Sequence, residues 1–360
     1  MSLSAPPSAR SEPSRLGPVR LGPVRLWPVR LWALTASPAF LRRSAAGLVW
    51  ALALTIVSGG AVRLTGSGLG CLDWPSCTSA SVVAPLQYHA WIEFGNRLIN
   101  AALTVAIVLV AVAALRRKPR RRDLGVLAWA QVAGVLAEVV LGGETVLHKL
   151  APPFVMGHFL LAIALLVASV VLWHRCRQPE EPAGPFAGEP RPPTVARLVP
   201  GRRLVRPAQL VAARCMLALT FVVVVLGTVV TSTGPHAGAP DVPRFHFSLH
   251  TVAQLHGSSV EALLGLTVLT LWSLHRSGVG AAVLRRAEVL LVVLVAQAGV
   301  GYSQYLTGDP VVLVGIHLTG ATAVVVAMTL FNLGLYERKP RAPSPAVAGA
   351  SDRAPELARA

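Results

Sequence analysis

Hydrophobic and polar positions are not distributed evenly along this chain. Runs of about 20 mainly apolar residues, enough to cross a bilayer as a helix, recur eight times. They cover roughly 44–63, 90–114, 124–147, 153–174, 211–232, 250–274, 285–306 and 311–335. Helices are the form such runs take in lipid, because each backbone N–H and C=O must find its partner within the segment. The pattern therefore predicts an all-α polytopic membrane protein with eight transmembrane helices.

The charges fix an orientation. Of the 33 Lys and Arg residues, 29 fall in the N-terminal segment, the loops 115–123, 175–214 and 275–286, and the C-terminal tail, all on one side of an eight-span chain. The other four are Arg63, Arg97, Lys149 and Arg244. By the positive-inside tendency both termini are cytoplasmic. The net charge of +17 is then topological: with 53% hydrophobic and only 14% charged residues, a nucleic-acid binder is excluded. Residues 16–32, LGPVRLGPVRLWPVRLW, repeat Pro every five residues and so form neither a signal peptide nor a ninth span. They read as a disordered basic tail. Segment 178–207, rich in Pro, Arg and Glu, reads as a linker.

The two halves resemble each other. Span 1 ends in VRLTG (Val62 to Gly66) and span 5 in VTSTG (Val230 to Gly234). AEVVLG (Ala137 to Gly142) in span 3 matches AQAGVG (Ala296 to Gly301) in span 7, and His158 then aligns with His317. Four spans plus four in the same orientation predict two four-helix bundles related by a pseudo-twofold axis along the membrane normal.

Ionisable residues within spans mark function by default. His158, His256 and His317 all fall in the outer half of the bilayer. Axial imidazoles on facing helices are a common way to hold haem iron in a bundle, which favours haem ligation over packing. No C-x-x-C-H is present, so a haem would be held non-covalently. In span 2, Glu93, Asn96 and Arg97 share one helical face. Two readings stand: an internal Glu93–Arg97 ion pair, or a carboxylate facing a cofactor edge with Arg97 near a haem propionate. Asn96 occupies the position that His256 holds in the second half. Cys71 and Cys77 lie in an outer, oxidising loop, where a disulfide is expected, structural or redox-active. Cys176 and Cys215 face the cytoplasm as reduced thiols. Gln131, Glu138, Glu261 and Gln297 are expected to make interhelical hydrogen bonds.

Taken together, GGAVRLTGSGLGCLDWPSC (59–77), WIEFGNRL (91–98), MGHF (156–159), QLHG (254–257), GYSQYLTGDP (301–310) and GIHLTGA (315–321) resemble the haem A synthase family (COX15/CtaA-type), in an actinobacterial-like variant. The resemblance covers about 45 to 335. It implies an oxidoreductase of the plasma membrane that converts the C8 methyl of haem O to a formyl group, with water as the oxygen source. The product, haem A, serves cytochrome oxidase assembly. It implies His256 and His317 as axial ligands of a haem b in the C-terminal half (211–335). It implies His158 as ligand of the substrate haem in the N-terminal half (44–174), and Glu93 as the functional carboxylate. The flanks are a tail (1–43), a linker (175–210) and a second tail (336–360). Haem O synthase, assembly factors and an electron acceptor are the partners it suggests. The departure is Asn96, where many members have a second ligand His. A b-type electron carrier that leaves the porphyrin unchanged, and a transporter with parallel repeats, are the competing readings.

Overall fold

The computed structural model describes residues 37–178 and 201–337. The Pro/Arg repeat at 16–32, most of the linker and the C-terminal tail lie outside the described residues.

Eight long helices account for nearly all of the described chain: α1 Pro38–Leu64, α2 Tyr88–Arg116, α3 Arg122–Leu147, α4 Pro152–Cys176, α5 Pro207–Thr233, α6 Leu249–Arg276, α7 Ala281–Leu306 and α8 Val311–Leu333. Each contains one of the hydrophobic runs. The first begins six residues earlier than hydropathy suggests, because Arg42 and Arg43 sit inside its opening turns. Its start is set by local chemistry: Ser37 caps it, accepting from the Phe40 N–H at 3.1 Å, and Pro38 supplies the preset φ of a first helical position. Proline likewise opens α4 and α5.

Seven of the eight helices are long and apolar enough to cross a membrane. The eighth, α7, has 26 residues, about 39 Å of helix. Arg285, Arg286 and Glu288 polarise its first turns, and Gln297, Tyr302 and Gln304 its second half. It packs along α8 as extensively as any helix pair in the molecule, so it lies in the same slab.

The helices form two bundles. α1 to α4 close a ring in which each packs on the next and α4 returns to α1; α5 to α8 do the same. The bundles meet through α4 against α8, α1 against α8, and α4 against α5. An exchange of halves maps this set of contacts onto itself, as a pseudo-twofold axis between α4 and α8 requires. The connections agree. Between α3 and α4 the chain turns through Lys149 (φ 49°) and Leu150 (φ 58°); between α7 and α8 it turns through Gly308 (φ 78°) and Asp309 (φ 58°). The closing bonds match as well, Leu150 N–H to Thr145 O at 2.7 Å and Asp309 N–H to Gln304 O at 2.9 Å. Two consecutive left-handed residues in one turn are rare enough that their recurrence at equivalent places marks a true repeat.

Each bundle has its own apolar centre. Leu41, Leu52, Ile107, Leu124, Leu166 and Val170 meet in the first, and Met216, Leu263, Leu290, Met328 and Phe331 in the second. Lipid is as apolar as these residues, so packing and interhelical hydrogen bonds, rather than the hydrophobic effect, hold the helices together. Gln131 donates to Leu165 O (3.1 Å) and Ser169 Oγ (2.6 Å), tying α3 to α4. At the basic ends, Gln209 of α5 donates to Ser277 Oγ (2.8 Å) and Ser273 O (2.9 Å), tying α5 to the end of α6. Arg202–Arg203 and Tyr336–Glu337 pair as a short antiparallel ladder beside them.

Leu166 is fully buried in the first bundle, so Leu166→Ala is expected to cost about 2 kcal/mol or more and to lower the thermal unfolding midpoint in detergent. Leu54→Ala, on the outward face, leaves the midpoint unchanged.

Candidate functional site

The three histidines singled out from the sequence share one local device. In the second half, His256 on α6 lies over α5. Its Nδ1–H donates to Val223 O at 3.0 Å, which leaves Nε2 free. One turn further along α5 is Gly227; a Cβ there would stand 3.2 Å from His256 Cε1. His317 on α8 lies over Gly301 of α7, where a Cβ would stand 2.9 Å from its Cε1. The first half repeats this: His158 on α4 lies over Gly142 of α3, at 3.2 Å by the same measure. In each case a ring fits between packed helices because the facing residue is glycine.

His256 and His317 face each other with ring centroids 6.3 Å apart and planes at 69°. A metal–imidazole bond is about 2 Å long, so two such bonds plus the distance from each ring nitrogen to its centroid fill that separation. The separation therefore leaves room for one metal ion that the two imidazoles would hold between them. Among the described residues no cluster of three or more His, Cys, Asp or Glu forms a metal site, and the donor set offered here is two imidazoles. His317 Nδ1 is sealed from solvent and has no hydrogen-bond partner among the described residues.

The equivalent corner of the first half is different. Gly59 of α1 lies three residues before VRLTG, as Gly227 lies three before VTSTG. Nothing stands within 4 Å of where its Cβ would be. The side chain that would have crossed to it is Asn96, which is too short; its Oδ1 accepts from Ser58 Oγ at 2.8 Å instead. The glycine is present and the ring is absent.

Above this corner sits the loop between α1 and α2. Cys71 and Cys77 form a disulfide and both are fully buried; Cys176 and Cys215 are free. Glu93, 5% exposed, fastens the loop to α2: its Oε2 accepts from the Cys71 N–H at 2.8 Å and its Oε1 from Arg97 Nη2 at 2.6 Å. Arg97 also donates to Asp73 O (3.1 Å) and Ser76 O (2.9 Å). The internal ion pair read from the spacing is thus present, and the arginine's donors are directed at the loop. The loop's Trp74 lies flat on Gly143 of α3, where a Cβ would come within 2.7 Å of the indole. That seat is one residue from the glycine beneath His158, so the disulfide loop and His158 close the same end of the bundle.

Several participants were not singled out from the sequence for these contacts. The glycine cradles are one group. Arg63 is another: it donates to His236 O (2.6 Å) and Thr231 O (2.9 Å), bridging the two halves at their outer side. The polar residues within the spans make the interhelical contacts expected of them, but their partners were not legible. Gln297 Nε2 donates to His317 O at 2.8 Å, Glu261 meets the Tyr302 hydroxyl, and Glu138 meets Nδ1 of His158.

The sequence has relatives. A heme A synthase of Bradyrhizobium sp. (strain BTAi1) is 26% identical, over 78% of this chain and 86% of the relative. Heme A synthases of Geobacillus kaustophilus and Geobacillus thermodenitrificans are 29% and 30% identical, over 39% and 36% of this chain. In those two alignments the chain spans less than half of the relatives' length, 46% and 41%. The family described as cytochrome oxidase assembly protein, COX15-CtaA, matches residues 42–329, which include both bundles and all three histidines, and the chain belongs to that family.

Proposed function

We propose that this protein is a haem A synthase: it oxidises the C8 methyl of haem O to a formyl group, producing haem A for cytochrome oxidase assembly. The observation that carries the reading is the set of glycine-cradled imidazoles, two facing each other in one half and one in the other. Relatives named heme A synthase favour porphyrin chemistry over a plain electron carrier. The positive-inside bias supports a plasma-membrane protein with both termini cytoplasmic. The site then opens toward the outer half of the bilayer.

In this reading His256 and His317 hold a haem b, which supplies one-electron transfer when bound. Haem O is the substrate; His158 would hold its iron in the first half, and Asn96, bonded to Ser58, would supply no second imidazole there. The overall change at the methyl carbon is –CH3 + H2O → –CHO + 4 H+ + 4 e–, with the electrons leaving to an acceptor. What the chain contributes is placement and charge. Glu93 has both oxygens tied, to Arg97 and to the Cys71 N–H, so its carboxylate is fixed before substrate arrives. A preorganised negative group stabilises positive charge as it develops at the methyl carbon, or orients the attacking water, without reorganising. The disulfide loop, fastened by Glu93 and Arg97 and seated through Trp74, excludes bulk water from that end of the bundle. Haem O synthase and assembly factors are the partners that would deliver substrate and accept product.

Chromatography of haems extracted from the purified protein tests the class: haem B together with haem O or A is the expected result, and a haem-free protein contradicts the reading. Glu93→Gln is expected to lower conversion about a hundredfold; undiminished conversion removes Glu93 from the chemistry. Because Glu93 also anchors the loop, Cys71→Ser with Cys77→Ser serves as comparison, with a smaller loss. Gly301→Val drives a side chain into the His317 ring and is expected to abolish the haem b absorbance while the protein remains folded.

A further inference from the structure

The two halves treat the second nitrogen of their histidine rings differently. In α7, Gln297 lies one turn before the cradle glycine Gly301; in α3, Glu138 lies one turn before Gly142. The positions are equivalent, the contacts are not. Gln297 reaches the backbone carbonyl of His317 at 2.8 Å and leaves the ring's Nδ1 without a partner among the described residues. Glu138 reaches the ring itself: its carboxylate meets Nδ1 of His158. Glu138 is 9% exposed; its two oxygens and Nδ1 of His158 are all sealed from solvent, and apart from this close contact none of the three atoms has a partner among the described residues. The third ring, His256, gives its Nδ1–H to a neutral backbone carbonyl. Only His158, of the three, is matched with a carboxylate.

We propose that Glu138 is a positioning residue for His158, and that it makes the ligand of the first half a stronger electron donor than either ligand of the second. The inference rests on the reading that His158 ligates haem iron. An acceptor at Nδ1 fixes the tautomer, so that Nε2 carries the lone pair that meets the metal. A carboxylate acceptor also raises the basicity of the ligand, which an amide or a carbonyl does less. Greater donation favours the oxidised iron and lowers its midpoint potential. Glu138 thereby holds the first-half iron at a lower potential than an amide in its place would. The repeat supplies two similar sites, and the change of one residue from amide to carboxylate makes them unequal.

The test uses the full-length protein purified with its haem b and loaded with haem O, as wild type, Glu138→Gln and Glu138→Leu. Two readouts serve: the Fe–His stretching frequency of the ferrous first-half haem by resonance Raman, and the midpoint potentials of both haems by optical titration. The expected result is a graded one, with the stretching frequency falling and the first-half potential rising from wild type to Gln to Leu. The second-half potential stays fixed and reports that the fold is intact. A bound first-half haem whose frequency and potential do not move in either variant overturns the proposal and assigns Glu138 to packing alone. His158→Ala is the accompanying control: if it leaves the haem O spectrum unchanged, the ligand reading fails and the proposal with it.

Discussion

A five-membered ring can cross between two close-packed helices only where the facing helix has no Cβ to meet it, and in this protein that requirement sets the positions on which the site depends. Gly142, Gly227 and Gly301 each lie within 3.2 Å, by the position of a missing Cβ, of a histidine on the neighbouring helix. Small residues in membrane helices usually let backbones approach; here they make room for an imidazole ring. The consequence is register. Once each ring is seated on its glycine, the rotation and height of α3 on α4, α5 on α6 and α7 on α8 are constrained together. The facing pair His256 and His317 results from two such constraints meeting across one bundle.

The repeat then becomes informative where it is broken. Gly59 keeps the cradle in α1, but Asn96 has no ring to place on it and is bonded to Ser58. Glu138 replaces the amide of Gln297 and turns from a backbone partner to a ring partner. The outer loop after α1 carries a disulfide and is locked to α2 through Glu93 and Arg97. All three departures are in the same half. One bundle brings two imidazoles face to face; the other has one imidazole, a carboxylate against it and a disulfide loop fastened above it.

Much of this was legible in the chain because lipid imposes simple rules. Long apolar runs gave the helices, and the errors are at their ends, as at α1, where Arg42 and Arg43 conceal the capped start at Ser37. The histidines stood out because polar groups within spans are rare. The loop cysteines paired as expected. What was not legible depends on facing across space. A glycine in a helix does not announce which ring lies over it. The alignment of Glu138 with Gln297 suggested a shared packing role; both do cross to the next helix, but the acceptor each meets depends on a rotation of the side chain that spacing does not encode. Arg97 could be placed on the face of Glu93 by counting, whereas its bonds to Asp73 O and Ser76 O required the path of the loop.

We propose that the two similar halves would hold iron unequally, with two imidazoles in one and a single imidazole in the other because Asn96 leaves the Gly59 cradle empty. Electron paramagnetic resonance of the ferric, fully loaded protein, wild type against Asn96→His, tests it most directly. The account predicts one low-spin bis-imidazole signal in the wild type, assigned to His256 and His317 by its loss in His317→Ala, and a second such signal when Asn96→His places a ring over Gly59. Two bis-imidazole signals already present in the wild type, or none gained in the variant, would contradict it.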